Sequence, residues 1–91
     1  MNLLKKLPKC KAVKFPGGAG AQVGTPDILA CYRGQFIALE VKRVGNEPTP
    51  IQCVQLLQWQ GAEGMAVVVR SVEDVKQVIT EIDNQLFRLY K

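Results

Sequence analysis

Apolar and polar residues in the first half of the chain follow the alternating or continuous patterns of β-strands. Three runs have this pattern: residues 11–15 (KAVKF), 27–32 (DILACY) and 35–42 (QFIALEVK). The dipeptide Arg33-Gly34 separates the second run from the third and predicts a β-hairpin. Ahead of these strands, residues 2–7 (NLLKKL) predict a short helical turn that Pro8 ends.

The second half of the chain predicts two helices separated by one more strand. Thr49 is a good N-cap with Pro50 at the first helical position, and Gly61 is a suitable stop. Residues 65–69 (MAVVV) form a continuous apolar run, which predicts a strand buried on both faces. Ser71 caps the last helix, whose buried stripe is predicted to comprise Val75, Val78, Ile79, Ile82, Leu86 and Leu89.

The predicted order β-β-β-α-β-α indicates an α/β fold with a mixed β-sheet flanked by helices. With 91 residues, of which 47% are hydrophobic, the chain suits a single domain spanning 1–91. Residues 1–10 are expected to form a short basic N-terminal segment.

The positive charge is concentrated in the first half of the chain. Residues 1–43 contain eight Lys or Arg and two acidic residues, whereas residues 44–91 contain four and six. This asymmetry favours a polyanionic partner, and nucleic acid is the commonest one. A lysine-rich, partly frayed terminus that is kept soluble by its charge is the alternative explanation.

Several classes of protein are disfavoured by the sequence. No apolar run approaches the roughly 20 residues of a membrane span, and the N-terminus lacks the apolar core of a secretory signal. We therefore expect a cytoplasmic protein without a membrane partner, in a bacterium or a virus-infected cell. Residues 16–25 contain four glycines but lack the GK[ST] ending of a phosphate-binding loop, so they predict a flexible connection bordering a groove, and no nucleotide cofactor.

The cysteine and histidine content limits the possible chemistry. Cys10, Cys31 and Cys53 are an odd number with no CxxC spacing, which argues against a disulfide framework and a structural zinc site. The chain contains no histidine, which excludes Ser-His and Cys-His hydrolases. An enzyme of this composition would depend on carboxylates, lysine and a metal ion.

One group of residues could supply that chemistry. Strand alternation places Glu40 and Lys42 on the same face of the third strand, and pairing of Tyr32 with about Phe36 would bring Asp27 opposite residues 40–42. Two carboxylates, together with a backbone carbonyl between Glu40 and Lys42, suit a hard cation such as Mg²⁺ or Mn²⁺.

Metal-assisted hydrolysis of a phosphodiester is the reaction that such a group could perform. In that role Lys42 would orient or deprotonate the attacking water, or stabilise charge on the phosphate. The simpler alternative is a Glu40–Lys42 ion pair on a solvated face of the sheet, with Asp27 as a turn residue after Pro26.

Roughly over residues 11–79, the chain resembles the VRR-NUC family of the PD-(D/E)XK nuclease superfamily. The resemblance is carried by motifs in the same order: G-x-P-D at 24–27, the hairpin, E-x-K at 40–42, a P-x-Q helix start at 50–52 and S-x-E-D at 71–74. It implies a restriction-endonuclease-like PD-(D/E)XK core. It also implies metal ligands at Asp27, Glu40 and the Val41 carbonyl, and catalytic roles for Asp27, Glu40, Lys42 and Gln52.

One departure and one ambiguity accompany this resemblance. Gln52 is also the fourth residue of a T-x-x-Q capping box that starts at Thr49, so two roles compete for its amide. Family members often carry an acidic residue on an N-terminal helix, but nothing before Asp27 is acidic here, which counts against a second metal ion. Phosphate contacts are expected from Lys9, Lys11, Lys14, Arg33 and Arg43.

The function implied is that of a Mg²⁺- or Mn²⁺-dependent DNA endonuclease. A homodimer would present two active sites to two strands of branched DNA, such as a four-way (Holliday) junction, in replication, recombination or repair. Leu56, Leu57 and Trp59 give the predicted helix extra apolar surface, which either core packing or a dimer contact explains. A DNA-binding or assembly module that keeps the nuclease fold but cleaves weakly is the alternative.

Overall fold

The computed structural model of the protein describes residues 1–15 and 23–89. Its elements are α1 (Asn2–Lys6), β1 (Cys10–Lys14), β2 (Ile28–Tyr32), β3 (Gln35–Val41), α2 (Pro50–Gly61), β4 (Met65–Val69) and α3 (Val72–Leu89). The predicted order of elements is confirmed, including the short helical turn ahead of Pro8. The predicted flexible connection falls mostly on residues 16–22, outside the described residues.

The four strands form one mixed sheet in the order β1-β2-β3-β4. The first three are antiparallel, and β4 runs parallel to β3 after the crossover through α2. This arrangement confirms the α/β class and the mixed sheet. It places β3 between two neighbours, and its central residues Ile37, Ala38 and Leu39 are fully buried.

Helices cover the two faces of the sheet, as the alternation along β3 predicts. Ile37 and Leu39 point into the larger core, where they pack with residues of α1 and α3 such as Leu4 and Ile82. Ala38 points to the opposite face and packs with Leu56 of α2. Strand β3 therefore separates two apolar layers, and residues 40 and 42 follow Ala38 on the α2 side.

The helix α1 and the stripe of α3 both contribute to the larger core. Leu4 is buried in it, which attaches α1 to the core, whereas the lysines of this segment are exposed. Five of the six predicted α3 residues lie in or against the core: Val75, Val78, Ile79, Ile82 and Leu86. The side chain of the sixth, Leu89, is outside the described part of the chain.

Strand β4 is less buried than its sequence predicts. Ala66 and Val69 are buried, but Met65, Val67 and Val68 are only half-buried. Both faces of β4 pack against a core, as predicted: Met65, Val67 and Val69 in the larger one, Ala66 and Val68 in the smaller one. Some exposure is left because β4 is the last strand of the sheet, so one of its edges has no neighbouring strand among the described residues.

The hairpin between β2 and β3 has a two-residue turn. Arg33 and Gly34 both have positive φ, 49° and 85°, as a type I′ turn requires. Tyr32 therefore pairs with Gln35, and the predicted pairing with Phe36 is wrong by one residue. Continued beyond Ile28–Leu39, this register places Asp27 opposite Glu40.

Both long helices begin at the predicted caps. At α2, the Gln52 N–H donates to Thr49 Oγ1 at 3.3 Å, and the Thr49 N–H donates to Gln52 Oε1 at 2.8 Å. At α3, the Asp74 N–H donates to Ser71 Oγ at 3.2 Å. Within the described part of the chain, no helix is long and apolar enough to cross a membrane.

Gly24 allows the segment before β2 to approach the first turn of α2. Its φ is +83°, and a Cβ at this position would lie 3.0 Å from the carbonyl oxygen of Ile51. A side chain here would therefore be strained by both the backbone conformation and the close contact. This contact fixes the path of the chain into Asp27.

Candidate metal and active site

Asp27 is held against β3 at the end of the hairpin away from its turn. It directly precedes β2, and its Oδ2 accepts a hydrogen bond from the backbone N–H of Val41 at 2.8 Å. A carboxylate that binds a neighbouring strand in this way has little freedom to move. The hydrogen bond therefore fixes Asp27 beside Glu40, as the hairpin register predicts.

Glu40 is the buried polar residue of the described chain. Its exposed fraction is 1%, and Glu40 Oε2 has no hydrogen-bond partner among the described residues. Its other oxygen, Oε1, lies 3.8 Å from Lys42 Nζ. Burying an ionised carboxylate with one oxygen unsatisfied is unfavourable.

The environment of Glu40 opposes its ionisation. Burial, followed by the nearby Asp27 carboxyl, raises the pKa of Glu40 to about 7, although the Lys42 ammonium acts in the opposite direction. Near neutral pH this group lies between its protonated and ionised forms. A cation bound beside it would favour the ionised form.

The donor atoms at this end of the sheet fit a hard divalent cation. They are the unsatisfied Glu40 oxygen, the Asp27 carboxylate and the Val41 carbonyl, which is on the β2 side of β3 because its N–H faces Asp27. No group of three or more His, Cys, Asp or Glu occurs in the described ranges. Mg²⁺ keeps several waters and is often held by one or two carboxylates, so two carboxylates and one carbonyl are a plausible number of protein ligands for it.

Lys42 completes the group on the α2 side of the sheet. Its ammonium is within ion-pair distance of Glu40, and its backbone N–H donates to the Val69 carbonyl at 3.0 Å, which anchors the end of β3 to β4. The predicted ion pair therefore exists, but the predicted solvated face does not, because Glu40 is buried. The Glu40–Lys42 ion pair therefore lies beside a second carboxylate, Asp27, with its acidic partner buried.

The Gln52 amide performs the capping role. Its oxygen accepts from the Thr49 N–H, which commits that atom to the start of α2. The amide nitrogen takes no part in this hydrogen bond. A contact of Gln52 with substrate stays a prediction, limited to its N–H₂ group while the cap is intact.

Two of the predicted phosphate-binding residues, Lys14 and Arg43, lie near the Asp27 end of the sheet, whereas Lys11 pairs with Cys31 close to the turn end. Lys14 pairs with Ile28 and lines a shallow depression together with Asp27 and Val41. Lys11 lies farther along the same strand, and Arg43 follows Lys42 on an exposed segment.

The other two predicted phosphate contacts lie at the opposite end of the hairpin. Arg33 is in its turn and forms an ion pair with Asp83 at 3.0 Å. The Lys9 carbonyl accepts the Arg33 N–H at 2.9 Å. A strand of five residues separates these two side chains from Asp27, a distance of roughly 17 Å.

Sequence reasoning missed Arg70, which fixes the connection between β3 and α2. Arg70 Nη1 donates to the Asn46 carbonyl at 2.7 Å and to the Arg43 carbonyl at 3.3 Å, and Nη2 pairs with Glu47 at 3.2 Å. The connection that follows Lys42 is thus held in place. No sequence signal indicates this role, because an arginine after an apolar strand is common.

Comparison of the chain with protein-family models and with curated proteins gave no match. The resemblance to the VRR-NUC family therefore stays a prediction, and the case for function depends on the geometry described above.

Proposed function

We propose that the protein is a divalent-metal-dependent DNA endonuclease that hydrolyses phosphodiester bonds in branched DNA. The observation that carries this proposal is the buried Glu40 carboxyl, which has one unsatisfied oxygen and lies beside Asp27 and Lys42. Such a group costs stability unless a ligand uses it.

The residues of the chain have distinct roles in this proposal. Asp27 and Glu40, with the Val41 carbonyl, hold a Mg²⁺ or Mn²⁺ ion. When bound, the cation polarises a phosphate oxygen and neutralises part of its charge. Lys42 stabilises the negative charge that develops as water forms a bond to phosphorus and the ester P–O bond breaks.

The surface around the site suits a polyanion. Lys14, Lys42 and Arg43 are near the Asp27 end of the sheet, and Lys11 extends the basic surface along the edge strand. Basic side chains at this spacing supply the salt-dependent part of DNA binding. The finer fold is part of the same proposal, since a buried E-x-K strand at the centre of a mixed sheet suits a PD-(D/E)XK core.

We further propose that the protein acts as a homodimer through the outer face of α2. Leu56 and Trp59 pack inward, the latter stacked on Phe36 with ring centroids 4.8 Å apart. In contrast, Ile51, Val54 and Leu57 are exposed, Leu57 to 65%. A second copy covering these three residues would bring two active sites to two strands, as a four-way junction requires.

Light scattering coupled to gel filtration tests the dimer. We expect twice the mass of one chain, and we expect Leu57→Ser to lower the dimer fraction without unfolding the domain, because Leu57 is outside both cores. A wild-type protein that elutes with the mass of a single chain across the micromolar range would contradict the dimer and leave the nuclease proposal intact.

Cleavage assays test the enzyme. Labelled linear, flapped and four-way DNA are incubated with Mn²⁺ and with the wild type, Asp27→Ala or Lys42→Ala. Glu81→Gln, which neutralises an exposed carboxylate on α3, is the matched control. We expect the wild type and the control to cut branched DNA and both site variants to lose this activity.

The second candidate is a DNA-binding or assembly module that retains the fold and cleaves little. The observation in its favour is that only two carboxylates meet at the site among the described residues. Binding of branched DNA without cleavage in Mg²⁺ or Mn²⁺ would favour this candidate over the enzyme.

A further inference from the structure

One strip of the sheet beside the candidate site is not covered by any helix among the described residues. On the α2 side, α2 packs against β3 and β4. The corresponding face of the edge strand carries Lys11, Val13 and, directly after the strand, Phe15; all three are exposed, Val13 to 41% and Phe15 to 40%.

Phe15 is the direct neighbour of Asp27. The Phe15 N–H donates to the Asp27 carbonyl at 2.8 Å, which continues the β1–β2 register by one pair. Residues paired in this way have their side chains on the same face, with Cβ atoms about 5 Å apart. The structure therefore places a partly exposed aromatic ring next to a carboxylate of the candidate metal site.

Core packing does not explain this ring. The buried clusters and the half-buried residues packed against them include Leu29, which pairs with Val13, but they do not include Val13 or Phe15. An exposed aromatic and an exposed valine in line with Lys11 form a mixed apolar and cationic surface. Proteins bind single-stranded nucleic acid with surfaces of this kind, in which bases stack on aromatic rings and cations contact the backbone.

We propose that Phe15 stacks on an unpaired base next to the phosphate that is cut. This inference depends on the nuclease function proposed above and narrows its substrate. In a fully paired duplex both faces of a base are covered by its neighbours, so stacking on Phe15 requires a nucleotide that has left the helix. The preferred substrate is then a flap or another branch with single-stranded DNA at the cut, rather than a four-way junction with every base paired.

The test measures stacking and cleavage on the same DNA. The wild-type cut is first mapped on a 5′ flap, a 3′ flap and a fully paired four-way junction. 2-Aminopurine, whose fluorescence is quenched by stacking, is then placed on either side of the cut. The variants are Phe15→Ala, Phe15→Leu and Phe15→Trp, and the control is Phe87→Ala, an exposed phenylalanine on α3 at the other end of the sheet.

We expect the wild type to cut a flap faster than the four-way junction and to quench 2-aminopurine at one position. Phe15→Ala and Phe15→Leu should lose this quenching and weaken flap binding on the order of tenfold. Phe15→Trp should retain both properties, and Phe87→Ala should match the wild type. Phe15→Leu keeps an apolar side chain, so it separates loss of the ring from loss of folding.

Two results would overturn the inference, and they differ from failure of the nuclease proposal. If the wild type cuts DNA and both Phe15→Ala and Phe15→Leu match it in quenching and flap binding, Phe15 does not stack and the nuclease proposal stands. Equal or faster cutting of the fully paired junction by the wild type would also overturn it. If the wild type cuts none of the three substrates in Mg²⁺ or Mn²⁺, the nuclease proposal fails first.

Discussion

The two ends of the β2–β3 hairpin each have a carboxylate beside them, Asp83 and Glu40, and these two differ in burial and hydrogen bonding. At the turn, Asp83 of α3 accepts hydrogen bonds from the Tyr32 hydroxyl at 2.8 Å and from Arg33 at 3.0 Å, and it is partly exposed. At the other end, Glu40 is buried with one oxygen unsatisfied and a second carboxylate beside it. Asp83 accepts two hydrogen bonds that join α3 to the hairpin, whereas Glu40, although it pairs with Lys42, keeps one oxygen without a partner among the described residues.

Neutralising each carboxylate should separate function from structure most clearly. We expect Glu40→Gln to lower DNA cleavage at least about a hundredfold, because it removes a charged ligand of the proposed metal ion, which in turn stabilises charge on the phosphate. Asp83→Asn should leave cleavage within about twofold of the wild type, because it lies at the far end of the hairpin. Initial rates of cleavage in Mg²⁺ and Mn²⁺ measure the effect of each variant. Similar losses of rate in Glu40→Gln and Asp83→Asn would show that the two carboxylates do not differ in function.

The pH dependence of stability should also differ between the two ends. The pKa of Glu40 is raised by folding from an ordinary value of 4.5 to about 7, so the folded state holds this proton more tightly than the unfolded state. The stabilisation is complete below pH 4.5 and is lost as the pH rises to about 7.

Without divalent metal, we expect the free energy of unfolding to fall by about 3 kcal/mol between pH 5 and pH 8. Urea denaturation in EDTA measures this change. Glu40→Gln should abolish most of it, whereas Asp83→Asn should retain it. A Glu40→Gln protein that keeps the wild-type pH dependence would show that another group is responsible.

Added metal should stabilise only a protein with an intact Glu40. At pH 8, a Mg²⁺ or Mn²⁺ concentration about a hundredfold above the Kd should raise the free energy of unfolding by about 3 kcal/mol. Glu40→Gln should reduce this gain strongly, and Asp83→Asn should show the full gain. Thermal or urea unfolding with and without the ion provides the measurement, with no DNA present.

The smallest expected effect is the loss of stability on substituting Tyr32, at the turn end of the hairpin. Tyr32→Phe removes the hydroxyl that donates to Asp83 but leaves the Arg33 ion pair, so the free energy of unfolding should fall by about 1 kcal/mol. DNA cleavage and the response to metal should not change. A larger loss of cleavage than of stability would mean that the turn end also contributes to the site.

Most of the fold could be predicted because local patterns determine it. The strand alternation, the Thr49 and Ser71 caps and the Gly61 stop identify the elements without reference to distant residues. The predicted register of the hairpin was wrong by one residue. The observed register depends on a two-residue turn in which Arg33 has positive φ, a conformation that is uncommon for residues other than glycine. The half-burial of three β4 residues could not be predicted locally, since the edge position of β4 depends on the order of strands.

The candidate site could be predicted only in outline. Alternation and the hairpin bring Asp27, Glu40 and Lys42 together, but burial of Glu40 depends on how distant elements pack around β3, which no local pattern encodes. The positions of the basic residues relative to the site could not be predicted from the sequence either. Counting charges along the chain does not distinguish Lys14, near Asp27, from Arg33, which is paired with Asp83 at the far end.

The close contact between Gly24 and Ile51 has a consequence for assembly. The Ile51 carbonyl touches the segment that leads into Asp27, while the Ile51 side chain is exposed on the face of α2 proposed to meet a second copy. A partner that pushes the first turn of α2 towards Gly24 would act on the chain three residues before the acid, because the only free space there is that of the missing side chain. Oligomerisation and metal affinity would then be coupled, without any partner residue entering the candidate site.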